Sequence, residues 1–452
     1  MTPLSDSVHP ITYRNEILNA VFAYLSSGES AVVAGPSSMG KSRLVQFLLR
    51  EDVARHYLGN AAENLLLVWI DCNRLGGFTA SHLYELVLDA LLAAVEERPA
   101  LADLRDEYRT LHLEVIRSEN ALLAQRIVER FTRTLCREHN LTVCLVLDEF
   151  DEAYAELPSQ VLAGLRGLRD ANKYRLCYLL FTRQHPQYLR DPADCEGLYE
   201  QFSRNILYLQ PYQPDDARRV IQQLAVRRGL DAALLSPAVV EELLALSGGH
   251  PGLMTALVSG LRDEPPVKMA RLRAWAQGLA KVYEESRKVY EGLRPGEQTA
   301  LRALVHGRAP GRTALSTLEQ KGLLLAQTNE KPVVFSPLFA TFLAGQTDTA
   351  PTGLQVDEQT GIVVVNGDAK PAFPGLVHDL FHYFYSRLGE VCSRDAIAFE
   401  LYPDKKGDVA DNTIDVLVGR LRKEIEDDPA APQYVKTVRG RGYRLVLEPE
   451  SE

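Results

Sequence analysis

Over residues 1–210, short apolar runs alternate with stretches of helical period. The runs are Ala31–Ala34, Leu65–Asp71, Leu141–Leu147, Tyr178–Phe181 and Asn205–Leu209. Nearly continuous apolar runs separated by helices predict a parallel sheet covered on both faces. From about 211 to 262 the pattern is helical throughout. Pro211–Ala217 reads as a helix start with acids in the first turn, and Gly248-Gly249-His250-Pro251-Gly252-Leu253 as a sharp break between two helices. Residues 266–303 are helix-rich. A helical stretch Thr313–Gln320 stops at Gly322, a C-cap residue, and Leu323–Leu325 and Val333–Phe335 predict a small hairpin. Gln346–Gly353 is small and polar and reads as a linker. A separate domain is expected from about 354 onward. Within it, Ile414, Leu417, Val418, Leu421 and Ile425 share one helical face, which predicts burial. Asn412, Val416, Gly419, Arg420 and Lys423 lie opposite, with Arg422 on the flank.

One of the joints between strand and helix carries chemistry. Gly35-Pro36-Ser37-Ser38-Met39-Gly40-Lys41-Ser42 has the spacing of a P-loop, after an apolar run and before the helical pattern that begins at Arg43. A phosphate chain needs several backbone N–H groups aimed at one point. Glycines let the backbone wrap that closely, and the positive end of the next helix adds attraction. Lys41 is placed to reach the β- and γ-phosphates, and the Ser42 hydroxyl to hold Mg²⁺. The run Leu141–Leu147 ends in Asp148-Glu149-Phe150-Asp151-Glu152. Asp148 at such a strand end can bind the same Mg²⁺, and Glu149 can orient a water. Asp151 and Glu152 read as solvated charges.

Composition narrows the setting. The 452 residues suit two to four domains, and 46% hydrophobic with 24% charged residues is ordinary for a globular chain. No uninterrupted run of about 18 apolar residues is present, which predicts no membrane span. Met1–Asp6 lacks the basic and apolar regions of a signal peptide. Six scattered cysteines without a C-x-x-C pair fit a reducing cytoplasm and no zinc site. A net charge of −10 means that any nucleic-acid contact must come from a local patch.

Residues 1–345 resemble STAND-type P-loop ATPases, relatives of the AAA+ initiator clade. Besides the P-loop and Asp148-Glu149, Tyr13-Arg14-Asn15-Glu16 looks like the Arg-Glu box that precedes the nucleotide site in this group. Thr182-Arg183 looks like the position that senses the γ-phosphate, and Gly249-His250-Pro251 like the motif of the helical lid whose proline packs near adenine. The resemblance implies an α/β fold: a P-loop NTPase with parallel sheet (1–210) and helical lid (211–265). A helical linker and first winged helix (266–345) follow, then a linker (346–353). It also implies ATP/ADP and Mg²⁺ as cofactors, held at Gly35–Arg43, Arg14, Pro251 and Asp148, with Lys41, Asp148, Glu149, Thr182 and Arg183 as the catalytic set. Hydrolysis of ATP to ADP and phosphate is expected to be slow, because members of this group often work as nucleotide-locked switches. The chain departs from the wider AAA+ pattern in lacking an arginine beside Gly249-His250-Pro251. Arg183 and Arg204 are both candidates for an arginine finger.

Residues 354–448 resemble the winged-helix DNA-binding domain of OmpR/PhoB-type response regulators. Val391–Asp395 looks like the start of the helix before the turn, Asp411–Lys423 like the recognition helix, and Lys436–Arg444 like the wing. The resemblance implies contacts to double-stranded DNA by Asn412, Thr413, Val416, Arg420, Arg422, Lys423, Thr437, Arg439 and Arg441. From 412 to 444 seven basic residues face five acidic ones, and the wing is purely basic. Against this, residues 351–452 hold 18 Asp/Glu and 12 Lys/Arg.

The leading expectation is an ATP-controlled transcription regulator that self-associates in its ATP state. The alternatives are a STAND defence or signalling ATPase whose winged helices dock protein partners, and an initiator-type ATPase that loads onto DNA.

Overall fold

The computed structural model describes residues 9–266, 268, 271–308, 310, 312–325, 332–346, 353–356, 362–366, 368–370, 373–402 and 411–448. Met1–Asp6 and most of the linker expected at 346–353 lie outside them. The chain divides into two compact units, at Val289/Tyr290.

The first unit is built on five parallel strands: β1 (Ala31–Ala34), β2 (Leu65–Asp71), β3 (Thr142–Asp148), β4 (Leu176–Thr182) and β5 (Ile206–Tyr208), in the order β2-β3-β4-β1-β5. Every residue of β1 and β4 is buried, and all of β3 except its first. Helices cover both faces, so these strands read as unbroken apolar runs rather than alternating ones. The register aligns Ala34 with Thr182 and Tyr208, and Asp71 with Asp148. All carboxyl ends therefore share one edge of the sheet, where open α/β sheets place their ligands.

The lid expected after the sheet is three helices, Pro214–Arg227, Pro237–Ser247 and Pro251–Asp263. Each begins with proline, whose fixed φ and missing N–H suit a first turn. The break between the last two runs through Gly248 (φ 57°) and Gly249 (φ 73°). A Cβ on Gly249 would stand 2.5 Å from the Tyr212 carbonyl oxygen, so only glycine fits where the lid returns to the end of the sheet.

The second unit opens with helices Pro295–Val305 and Arg312–Gln320. The antiparallel pair β6 (Leu324–Leu325) and β7 (Val333–Val334) follows, then helix Pro337–Ala344. The expected hairpin and the αL residue Gly322 (φ 67°) are present. Its interior holds an ion pair that the sequence pattern does not reveal. Lys321 Nζ donates to both Glu297 carboxylate oxygens at 2.7 and 2.8 Å, with both side chains essentially inaccessible. The Arg294 backbone N–H and guanidinium bond the same carboxylate.

The terminal part of this unit carries three antiparallel strands, β8 (Leu354–Val356), β9 (Val363–Val365) and β10 (Asp368–Ala369). Helices Leu376–Tyr385, Arg394–Leu401 and Asp411–Ile425 come next, and then the hairpin of β11 (Val435–Val438) and β12 (Gly442–Leu445). Ser393 accepts the Ala396 N–H, which starts the middle helix where the sequence suggested.

Removing one partner of a buried ion pair strands the other charge. Lys321→Ala is therefore expected to destabilise the second unit by roughly 3–5 kcal/mol in urea denaturation, and Lys321→Met with Glu297→Leu by much less. Burial pushes the Glu297 carboxyl up, but Lys321 and Arg294 outweigh it and hold it below its ordinary value. The contribution of the pair is then full above the carboxylate range and is lost as pH falls through it.

Candidate functional site

The P-loop leaves the end of β1 with the Gly35 N–H bonded to the Thr182 carbonyl at 3.0 Å. Gly40 (φ 87°) turns the chain into helix Lys41–Leu48. Ser38 adopts φ 59° without being glycine, a conformation that costs roughly 1–2 kcal/mol. Lys41 is buried, and its Nζ donates to the carbonyls of Gly35 at 2.8 Å and Pro36 at 3.4 Å. Burial lowers its pKa, opposed by the charges of Glu149 and Asp151. Ser42 is the second residue of the helix and is exposed.

The acids stand at the end of β3, which β4 separates from β1. Asp148 is buried and accepts the Glu149 N–H at 3.0 Å; burial, then the adjacent Glu149, raises its pKa. Ser42 and Asp148 offer a hydroxyl and a carboxylate, hard oxygen donors of the kind Mg²⁺ takes. Glu149, itself at φ 51°, is held by the Arg183 guanidinium at 3.2 Å. The Thr182 hydroxyl donates to the Gln184 carbonyl at 2.7 Å. Asp151, expected to be a solvated charge, is instead buried and accepts the Arg183 backbone N–H at 2.7 Å. It belongs to helix Asp151–Glu156, whose first turn folds under the end of β4. The acidic run thus divides its work: Asp148 is buried at the strand end, Glu149 pairs with Arg183, and Asp151 fixes the backbone that carries Arg183.

Arg14 joins the P-loop to the chain after β5. Its guanidinium donates to the carbonyls of Met39 in the P-loop (2.9 Å) and Gln210 after β5 (2.7 Å), and lies 4.1 Å over the Tyr212 ring. Its backbone N–H, in a left-handed residue (φ 51°), bonds Asp216 in the first lid helix at 2.9 Å. Tyr13 and Tyr212 join hydroxyls at 2.8 Å beside it. One arginine thus ties the P-loop to the base of the lid. Apart from the bond to Met39, these contacts join residues 196 to 202 positions apart, a separation at which sequence pattern carries no signal. Pro251 does reach the P-loop: its Cγ is 3.8 Å from where a Cβ on Gly40 would stand. His250 is fully buried, caps the Leu253 N–H at 3.3 Å and interacts with the Ser37 backbone.

Of the two arginine-finger candidates, Arg183 lies at the carboxyl edge with the P-loop. Arg204 precedes β5, whose Ile206 pairs with Val32 near the start of β1. It sits at the amino edge, away from its own P-loop.

In the terminal domain, Ile414, Leu417, Val418, Leu421 and Ile425 are buried as expected, and Asn412, Thr413, Val416, Arg420 and Lys423 are exposed. These five line a groove of about 610 Å³ beside Leu376. Arg439 and Arg441 are exposed at the hairpin turn, on either side of Gly440 (φ 70°). Arg422 and Thr437 are occupied within the domain: the guanidinium donates to the Val435 carbonyl at 2.6 and 3.0 Å and to Thr437 Oγ1 at 2.7 Å. That ties the helix to the hairpin. Three of the five acids also bond within the domain, Asp428 accepting the Ala430 N–H at 3.0 Å. Asp415 binds Arg394 at 2.7 Å and the Tyr443 hydroxyl at 2.5 Å. Glu426 is buried and accepts the backbone N–H groups of Gln433, Tyr434 and Val435.

Comparison with known families gives a consistent picture. Residues 10–180 match the AAA ATPase domain, and residues 374–445 match the C-terminal domain of transcriptional regulatory proteins. The chain carries both. Among solved structures it resembles the Walker-type ATPase of Pyrococcus abyssi at 17% identity and a TM-score of 0.47, over 75% of this chain and 99% of that one. It also resembles the Aeropyrum pernix ORC2 protein in its ADPNP–ADP complexes (14%, TM-score 0.40, 73% and 92%). A third is the Aeropyrum pernix ORC1 protein in complex with DNA (14%, TM-score 0.38, 75% and 94%). Among the described residues no helix is long and apolar enough to cross a membrane.

Burial, the largest cause, lowers the His250 pKa from 6.5 to about 4. The unfolded chain takes up this proton before the folded one does, so stability present above pH 6.5 is lost as pH falls toward 4. The loss from this group approaches about 3 kcal/mol. His250→Asn keeps a capping acceptor and is expected to flatten that part of the thermal-midpoint profile between pH 6.5 and 4.

Proposed function

We propose that the chain is a nucleotide-controlled DNA-binding regulator of the STAND type. Its P-loop binds ATP or ADP, and its terminal winged helix binds double-stranded DNA. The observation that carries the nucleotide reading is the convergence of Lys41, Asp148, Glu149 and the lid residues His250 and Pro251 on one P-loop at the carboxyl edge of the sheet. Mg²⁺, held by Ser42 and Asp148, would neutralise charge on the bound phosphates. Lys41 would bind the β- and γ-phosphates, and backbone N–H groups from Ser37 to Ser42 would enclose them.

Glu149 would orient the attacking water only after Arg183 lets it go. The Glu149–Arg183 pair therefore supports slow turnover and a switching role. A γ-phosphate offers Arg183 a stronger partner than Glu149 does, which links nucleotide state to the release of Glu149. The ADP form would be the resting one and the ATP form the self-associating one.

On DNA, the outward face of helix Asp411–Ile425 would enter the major groove. Arg420 and Lys423 would reach phosphates or guanine edges, and Val416 a thymine methyl. Asn412 and Thr413 lie at the leading end of the helix. Arg439 and Arg441 would contact phosphates of the neighbouring groove. Arg422 and Thr437 act as positioning residues that set the angle of the wing. With Asp415 and Glu426 engaged internally, the exposed recognition surface is less acidic than the domain as a whole.

Lys41→Ala is expected to abolish nucleotide binding in calorimetry while leaving the thermal midpoint within a degree or two; unchanged affinity would overturn the nucleotide reading. Arg420→Ala and Arg439→Ala should each weaken binding to genomic fragments and reduce the salt slope by about one. Full retention of a gel shift in both variants, or none in the wild type, would move the winged helix to protein docking. DNA affinity and sedimentation in ADP and in a non-hydrolysable ATP analogue, at one salt concentration, test the switch. Identical values in the two states would eliminate it.

A further inference from the structure

The helix Ala280–Glu291 carries the chain out of the first unit, which ends at Val289. Glu285 lies on it. Its Oε1 accepts from Lys288 at 2.8 Å, whereas Oε2 is buried and has no hydrogen-bond partner among the described residues. The lid glycine shows where that oxygen sits. A Cβ on Gly252 would stand 2.5 Å from Glu285 Oε2, 2.8 Å from Ser38 Cβ and 3.2 Å from His250 Cε1. A bare carboxylate oxygen, the first turn of the lid helix Pro251–Asp263 and a P-loop residue therefore crowd one point.

Gly252 is the second residue of that helix, where the unbonded N–H groups and the positive end of the macrodipole favour an anion. This environment offsets the cost of burying the carboxylate oxygen. The P-loop a contact away offers the same attraction to phosphate. The buried His250 adds no positive charge at neutral pH, and Lys288 is already engaged with the other oxygen. Glu285 and a polyphosphate on the P-loop are thus like charges competing for one partly dry region, where repulsion is screened less than at a free surface.

We infer that Glu285 is the residue through which phosphate occupancy of the P-loop is felt on helix Ala280–Glu291. Its carboxylate rests against the lid helix end and Ser38. A triphosphate repels it and loosens the helix from the lid. The inference depends on the nucleotide-binding reading of the P-loop and deepens it. A diphosphate carries less charge, so the repulsion acts more on ATP than on ADP. Glu285 then lowers the preference of the site for ATP, and the differential affinity is the energy available to move the helix.

The test uses the full chain with Mg²⁺, titrated calorimetrically with a non-hydrolysable ATP analogue and with ADP. Wild type, Glu285→Gln and Lys41→Ala are compared. Glu285→Gln, which removes charge and little shape, is expected to tighten ATP-analogue binding about tenfold and ADP binding by less. The gain should shrink at high salt. In parallel, hydrogen exchange at amides 280–291 should rise when the wild type binds the ATP analogue, and this rise should be absent in Glu285→Gln. If the variant only lowers the thermal midpoint, with the ATP-to-ADP affinity ratio unchanged, Glu285 is a helix cap and the inference fails. The same holds if the wild-type helix shows no nucleotide-dependent exchange, a measurement that needs no variant to fold. In both failures, loss of binding in Lys41→Ala leaves the P-loop reading intact. A wild type that binds neither nucleotide overturns both.

Discussion

A loop that is to receive phosphate must hold its N–H groups inward while nothing is bound, and so its carbonyls must be held outward. In this chain two cations do that. Lys41 takes the carbonyls of Gly35 and Pro36, and Arg14 takes that of Met39. Both are long side chains drawn into poorly solvated positions, and both are kept there by backbone rather than by acids. Arg14 extends the constraint beyond the loop, because its other contacts are with Gln210 and Asp216. The shape of the P-loop and the seat of the lid are consequently one mechanical problem, solved at the left-handed residue Arg14.

The sheet was legible from sequence because burial on both faces writes apolar residues without interruption, as in β3 and β4. The P-loop was legible because it is local. What escaped depends on residues far apart in sequence or on charges inside the protein. Asp151 looks like its neighbours Asp148 and Glu149 in an acidic run, and only the fold turns it under the end of β4. Tyr13 and Tyr212 meet across 199 positions. Lys321 and Glu297 sit at positions where a wheel shows polar residues and therefore suggests solvent.

The terminal domain shows why formal charge misleads. Counted along the sequence, acids outnumber bases. Counted by what they touch, Asp415 and Glu426 belong to the internal hydrogen bonding, and so does Arg422. What remains outward on the helix is Arg420 and Lys423 together with one acid, Glu424, and Arg439 and Arg441 stand at the wing. The apolar half of the helix was correctly read from its period, while the roles of its polar half needed coordinates.

All six thiols are free and buried, five in the first unit and Cys392 in the second, where its backbone pairs with Tyr443 of the wing. Burial also raises the pKa of five of them (Cys72, Cys136, Cys144, Cys195 and Cys392), so the reactive thiolate is scarce as well as inaccessible. The folded chain is therefore nearly silent to alkylating reagents, and labelling of any site marks an opening event in the unit that carries it. The protein contains its own set of conformational clocks: Cys144 and Cys177, side by side on β3 and β4, time the opening of the sheet, and Cys392 times the loosening of the wing.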